Sequence, residues 1–145
     1  MSGFWFRVFR VQYRILALID PLVRAVWVRF GIGNVVELRV RRRMNAADRV
    51  RLVGLLRVGD RRYLGHPNGD VGWTRDLDAS GEGSYRWSRA ATSSFRAIRL
   101  AAGPERDAAI RATWQHPFPG NIVYRLGRGH VRRVGVFFRL EADPA

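Results

Sequence analysis

The sequence predicts an α+β protein: one antiparallel sheet of about six strands, curled into a closed or half-closed barrel, with helices packed outside it. Three observations carry this. The elements read in the order two helices, three strands, helix, two strands, helix, strand, so hairpins connect most strands and a doubly wound parallel sheet is excluded. Gly59-Asp60 supplies a tight turn between two apolar runs. The 145 residues, 47% hydrophobic and 12% aromatic, can bury one core in spite of a net charge of +14.

Residues 4–19 (FWFRVFRVQYRILALI) read as a first helix, and Asp20-Pro21 as the N-cap and first position of a second that Gly31 ends. Residues 35–42 alternate and are β-branched, 50–58 form a more buried strand, and 61–65 complete the hairpin. His66 to Asp70 is a loop in which Asp70 is placed to cap a helix over 71–79 that ends near Gly81. Strands over 84–89 and 94–102 follow, and Pro104-Glu105 opens a helix through Ile110 and Trp114 that His116-Pro117 stops. Gly120, Gly127 and Gly129 mark an irregular segment before a last strand over 133–141. His116 reads as a turn residue and His130 as exposed.

Composition excludes several chemistries. All 26 basic residues are arginine, so a Schiff-base lysine and a P-loop lysine are both impossible. Arginine-only usage is also what a GC-rich coding bias produces, which weakens a simple charge argument. Without cysteine there is no disulfide, thiolate nucleophile or cysteine metal site, and the three histidines lack zinc-ligand spacing, so no metal is expected.

Residues 1–20 form a basic amphipathic helix. Arg7, Arg10 and Arg14 interrupt its apolar run and no small-residue cleavage site follows, which argues against a signal peptide and for a cytoplasmic protein. On a helix these arginines share an arc of roughly 60°, with Phe4, Phe9, Leu16 and Ile19 covering much of the rest. Two readings stay open: peripheral contact with an anionic membrane at its inner face, or packing on the domain or a dimer partner.

From Pro21 onward the chain resembles the deazaflavin-dependent nitroreductases. The matching features are the DPLVRA helix, the arginine-rich segment 41–51, the strand-turn-strand 50–65, the loop before Trp73 with Leu77 and Ala79 after it, Glu105-Arg106-Asp107, and the closing VFFRLE strand. The resemblance implies a split antiparallel β-barrel over residues 21–145 that binds the 8-hydroxy-5-deazaflavin coenzyme (factor 420), with flavin mononucleotide (FMN) or a tetrapyrrole as alternatives on the same barrel. It also implies hydride transfer to a small electron acceptor such as a quinone or nitro compound. Two departures bear on this. Arg42-Arg43-Met44-Asn45-Ala46 replaces a glycine-containing turn, and Asp76 stands where an asparagine is usual.

Carried onto this chain, the family's pattern puts Arg43, Asn45, Arg49 and Arg51 at the anionic tail of the coenzyme, where guanidinium forks suit phosphate and carboxylate. His66, Pro67, Asn68 and Gly69 face the ring ahead of a helix N-terminus. Trp73, Thr74, Arg75 and Asp76 match the tryptophan motif, and Tyr124 is placed to orient the acceptor. Each has a plainer reading as a solvated arginine, a loop or a core aromatic. A nucleic-acid module is the rival from another class, but the arginines are spread from Arg7 to Arg139 without a recognition motif. A non-catalytic, membrane-associated split-barrel protein is the third reading. Monomer and homodimer are both open.

Overall fold

The computed structural model describes residues 2–18, 20–31, 33–44 and 47–142. Its seven strands are β1 (Val35–Arg41), β2 (Asp48–Gly54), β3 (Leu56–Val58), β4 (Arg61–His66), β5 (Glu82–Arg86), β6 (Ser93–Arg99) and β7 (Val136–Ala142). They pair in the order β2-β1-β5-β6-β7-β4-β3, with every neighbour antiparallel. β2 and β3 are therefore the two edges of the sheet, yet only Leu55 separates them in the chain. One residue spans at most about 3.6 Å, so the edges meet there and the sheet must curl into a half-barrel.

Asn34 holds this junction. The Leu55 N–H donates to the Asn34 carbonyl at 2.9 Å, and Asn34 Nδ2 donates to the Leu55 carbonyl at 3.0 Å, so both backbone groups of a buried break are satisfied. The single strand expected over 50–58 is thus two, and the described residues form seven strands where about six were expected. Its apolar run continues across the break because Val53 and Leu55 pack on one core and Leu56 on the other, which is why periodicity does not reveal it.

Two cores lie on the two faces of the sheet. Inside the barrel, Val36, Leu38 and Val40 of β1 meet Leu64, Phe95 and Phe138, and helix α3 (Gly72–Ser80) closes the layer with Trp73 and Leu77. Outside, Leu56, Tyr63 and Phe137 meet Ile110 of α4 (Pro104–Arg111) and Phe9 of α1 (Ser2–Leu18). Phe137 and Phe138 are consecutive on β7 and enter opposite cores, as the two-residue strand period requires. Fully burying such a side chain contributes about 1.5–3 kcal/mol. Helix α2 (Asp20–Phe30) is anchored by Trp27, whose indole N–H donates to the Val35 carbonyl at 2.8 Å, and Gly31 ends it at φ +74°.

Residues 120–134, expected to be irregular, form helices α5 (Gly120–Leu126) and α6 (Arg128–Val134). Their glycines mark close helix contact. A Cβ on Gly127 would lie 3.0 Å from the Trp5 ring and 3.2 Å from Phe9, and one on Gly120 would lie 3.2 Å from Gln12 Nε2. α4 continues into a 3-10 turn over 112–115, and the last strand begins at Val136. Glu105 accepts from Arg61, Tyr63 and Arg139, and Arg106 Nη2 donates to the Gly135 carbonyl at 2.7 Å. The Glu105-Arg106-Asp107 segment therefore fastens α4 to the sheet.

The α3 N-terminus also differs from expectation. Val71, not Asp70, is the N-cap; its N–H donates to Thr74 Oγ1 at 2.8 Å. Asp70 instead grips Arg99 of β6 through both oxygens, at 3.0 and 3.1 Å, because a guanidinium fork competes well against one backbone N–H. The helix ends where expected, with Gly81 at φ +70°.

Candidate functional site

Helix α3 carries a charged cluster on one side of Trp73 and an aromatic one on the other. In the charged cluster, Asp76 is buried, its side chain 2% exposed. It accepts Arg43 Nε at 2.8 Å on Oδ1 and Arg49 Nε at 2.6 Å on Oδ2, with the Arg43 backbone N–H at 3.3 Å. Burial pushes the carboxyl up, but the hydrogen bonds from Arg49 and Arg43 outweigh it and hold Asp76 below the usual carboxylate range. Two guanidinium charges against one carboxylate leave this end of the site positive by one. Gly72 lets Arg49 through: a Cβ there would lie 2.9 Å from the guanidinium carbon.

The aromatic cluster gathers residues far apart in sequence beneath α1. Tyr13 stacks on His66 with ring centroids 5.0 Å apart, and His66 meets Trp73 edge-on at 6.4 Å. Tyr124 stacks on His116 at 4.8 Å and meets Phe9 at 5.3 Å. The two tyrosine hydroxyls are 3.4 Å apart and close the ring of contacts. Burial raises both phenols above their ordinary value, so each is protonated and able to donate. Burial likewise pushes His66 and His116 down to about 4, which makes both imidazoles neutral at pH 7.

The loop after β4 is tied in from three sides. Asn68 Nδ2 donates to the Phe6 carbonyl of α1 at 3.1 Å, Asn68 Oδ1 is 2.9 Å from His130 Nε2, and the Asn68 N–H donates to His66 Nδ1 at 3.2 Å. Pro67 is buried, and Gly69 has φ +86°. His130, expected to be exposed, is 2% exposed because α6 folds it onto Phe6 and Asn68. His116 is no simple turn residue: its ring fills the space over Gly54, where a Cβ would lie 2.2 Å from Nδ1.

Of the sequence-predicted residues, Arg43, Arg49 and Asp76 come together as one cluster, and His66, Asn68, Trp73 and Tyr124 as another. Thr74 is buried and spent on the α3 N-terminus. Arg51 and Arg75 are exposed and form no ion pair among the described residues; Asn45 lies outside the described residues. Tyr13 and His116 were missed. The Phe6-Phe9-Tyr13 spacing on α1 was the available signal, since it puts three aromatics on one helix face.

Buried Gln12 Oε1, Asn34 Oδ1 and His130 Nδ1 find no partner among the described residues, and all three belong to side chains bordering the aromatic cluster. Unmet buried polar atoms of this kind suit a ligand with its own donors and acceptors. Two surface depressions, of about 530 and 300 Å³, lie elsewhere and include none of the predicted site residues. Among the described residues no group of acidic and histidine side chains could hold a metal ion.

No protein-family model matches the sequence, and no curated protein matches it. Solved structures do. The heme storage protein HutZ from Vibrio cholerae is 12% identical with a TM-score of 0.55, over 88% of this chain and 92% of that one. An F420-H2-dependent reductase is 16% identical with a TM-score of 0.54, over 74% of this chain and 94% of that one. Protein Atu2129 of Agrobacterium tumefaciens, of unknown function, is 11% identical with a TM-score of 0.57 over 76% of this chain, which spans about half (48%) of its length. Likeness at such identities shows the fold: the chain is an α+β split β-barrel.

Proposed function

We propose that the chain is an oxidoreductase that binds the 8-hydroxy-5-deazaflavin coenzyme along α3 and serves hydride transfer to a small electron-poor acceptor, a quinone or nitro compound. The observation that carries the reading is the pairing of two unlike surfaces on one short helix. Trp73 and Asp76 are three residues apart, about 4.5 Å along the axis, so a basic cluster and an aromatic cluster adjoin. A ligand with a flat polar ring and an anionic tail needs both.

The bound coenzyme supplies the hydride; the protein supplies no nucleophile. Arg43 and Arg49, held in place by Asp76, would meet the anionic tail, joined by the exposed Arg51 and Arg75. Loop 66–69, Trp73 and the neutral His66 would hold the ring, and the unpaired polar atoms around it would find partners. The protonated Tyr13 and Tyr124 hydroxyls would donate to an acceptor oxygen, and α1 over them would exclude water. FMN has the same ring-and-phosphate design and is the alternative ligand.

The test is titration of the protein with the oxidised deazaflavin, FMN and heme in parallel, followed by tryptophan fluorescence. Saturable micromolar binding of the deazaflavin, with heme and FMN weaker, supports the proposal. Binding of heme alone would replace it with a tetrapyrrole reading, and binding of none would sink it.

A further inference from the structure

We propose that the outward face of α1 lies on the surface of an anionic lipid bilayer. Besides the Phe6–Tyr13 face that lies over the aromatic cluster, the structure gives this helix three others. Taking 100° per residue, Trp5, Phe9 and Gln12 fall together and pack on α5 and the outer core. Phe4, Val11, Ile15 and Leu18 fall in a second arc of about 60°, and Arg7, Arg10 and Arg14 in a third of similar width beside it. The expected apolar arc thus splits, Phe9 going to the core and Phe4 to solvent.

The second arc is open: Phe4 is 61% exposed and Leu18 82%. Phe4 rests edge-on against Trp5, which packs on Gly127, and the preceding residue, Leu126, is 68% exposed, so the apolar surface continues from α1 onto α5. Monomeric proteins rarely leave such a patch open without use.

Charge decides what covers it. α1, α5 and α6 contain no aspartate or glutamate, whereas arginines flank the apolar stripe on its free side. A second copy docked by the same face would bring three more of these arginines and no carboxylate of α1, α5 or α6 to pair them, a repulsive arrangement. An anionic bilayer accepts both halves: the stripe enters the acyl boundary while the arginines reach headgroup phosphates. Among the described residues no helix is long and apolar enough to cross a membrane, so the contact is lateral.

The test is co-sedimentation of the full chain with vesicles of phosphatidylcholine alone and of an equal mixture with phosphatidylglycerol. Binding is expected to the mixed vesicles and to fall with added salt. Each arginine near the surface is worth a factor of about five, so Arg7→Gln with Arg10→Gln should weaken binding on the order of 25-fold. Val11→Glu with Leu18→Glu should abolish it. Arg89→Gln with Arg96→Gln removes the same charge from exposed sites elsewhere and should change little. All six positions are exposed, and thermal melts confirm that the variants fold. Equal binding to neutral vesicles, equal loss in the two arginine pairs, or unchanged binding of the glutamate variant would each overturn the proposal. So would a concentration-dependent dimer that the glutamate variant dissolves while vesicles go unbound.

Discussion

Arg49 Nε donates to Asp76 Oδ2 across 2.6 Å, and through that bond one buried carboxylate ties the β1–β2 hairpin to α3. The buried negative charge of Asp76 is therefore neutralised locally, and Arg49 has a structural duty besides any contact with a ligand.

Removing the carboxylate charge should be costly. Asp76→Asn leaves two guanidinium groups facing a neutral amide and is expected to lose about 3 kcal/mol, read from urea unfolding. Arg49→Ala should cost more than Arg43→Ala, because the Arg49 side chain is 20% exposed and the Arg43 side chain 40%. Since the folded state lowers the Asp76 pKa, its stabilisation is complete above the unfolded value near ~3.9 and disappears as pH falls through the lower folded value. An Asp76→Asn protein as stable as an Asp78→Asn control would contradict this arrangement.

The histidines give the opposite sign from a salt-bridged one. His66 and His116 titrate at about 4 in the folded chain and near 6.5 unfolded, so between those values the unfolded chain binds more protons. Stability should fall as pH drops from 6.5 toward 4, by about 2 kcal/mol for His66 at pH 5. Comparing urea midpoints of the native protein and His66→Gln at pH 7 and pH 5 checks this. A His66→Gln protein with the same pH slope as the native one would refute it.

Glycines separate packed positions from open ones. Gly54→Ala places a methyl against the His116 ring and should cost roughly 1–3 kcal/mol while disturbing the His116–Tyr124 stack. Gly129→Ala meets nothing within 4 Å and lies in α6, so it should be neutral or stabilising by up to about 1 kcal/mol. Thermal melts should show a lowered midpoint for Gly54→Ala and an unchanged or raised one for Gly129→Ala.

Sequence reading reached the element order because each strand and helix carries its own period and stop signal, such as Gly31 and Gly81. It missed the break at Leu55, since a change of strand partner leaves no mark on an apolar run. It took Gly120, Gly127 and Gly129 for loop residues, although two of them make room for α1. The tail-side arginines were legible as a basic segment, but their sharing of Asp76 depends on contacts 33 and 27 residues apart. The aromatic cluster was half legible. Trp73, His66 and Tyr124 came from the family pattern, whereas Tyr13 and His116 join only when α1 and the segment before α5 fold over the loop.

Coenzyme titration of arginine variants tests the central claim most directly. Arg75→Ala and Arg51→Ala, exposed and outside the Asp76 cluster, should each weaken deazaflavin binding by about tenfold, as loss of one charge-assisted hydrogen bond of ~1.5 kcal/mol requires. Arg125→Ala, exposed on α5, should bind as the native protein does. Equal weakening by all three would reduce the interaction to general charge attraction, and undiminished binding in Arg75→Ala and Arg51→Ala would contradict the placement of the coenzyme along α3.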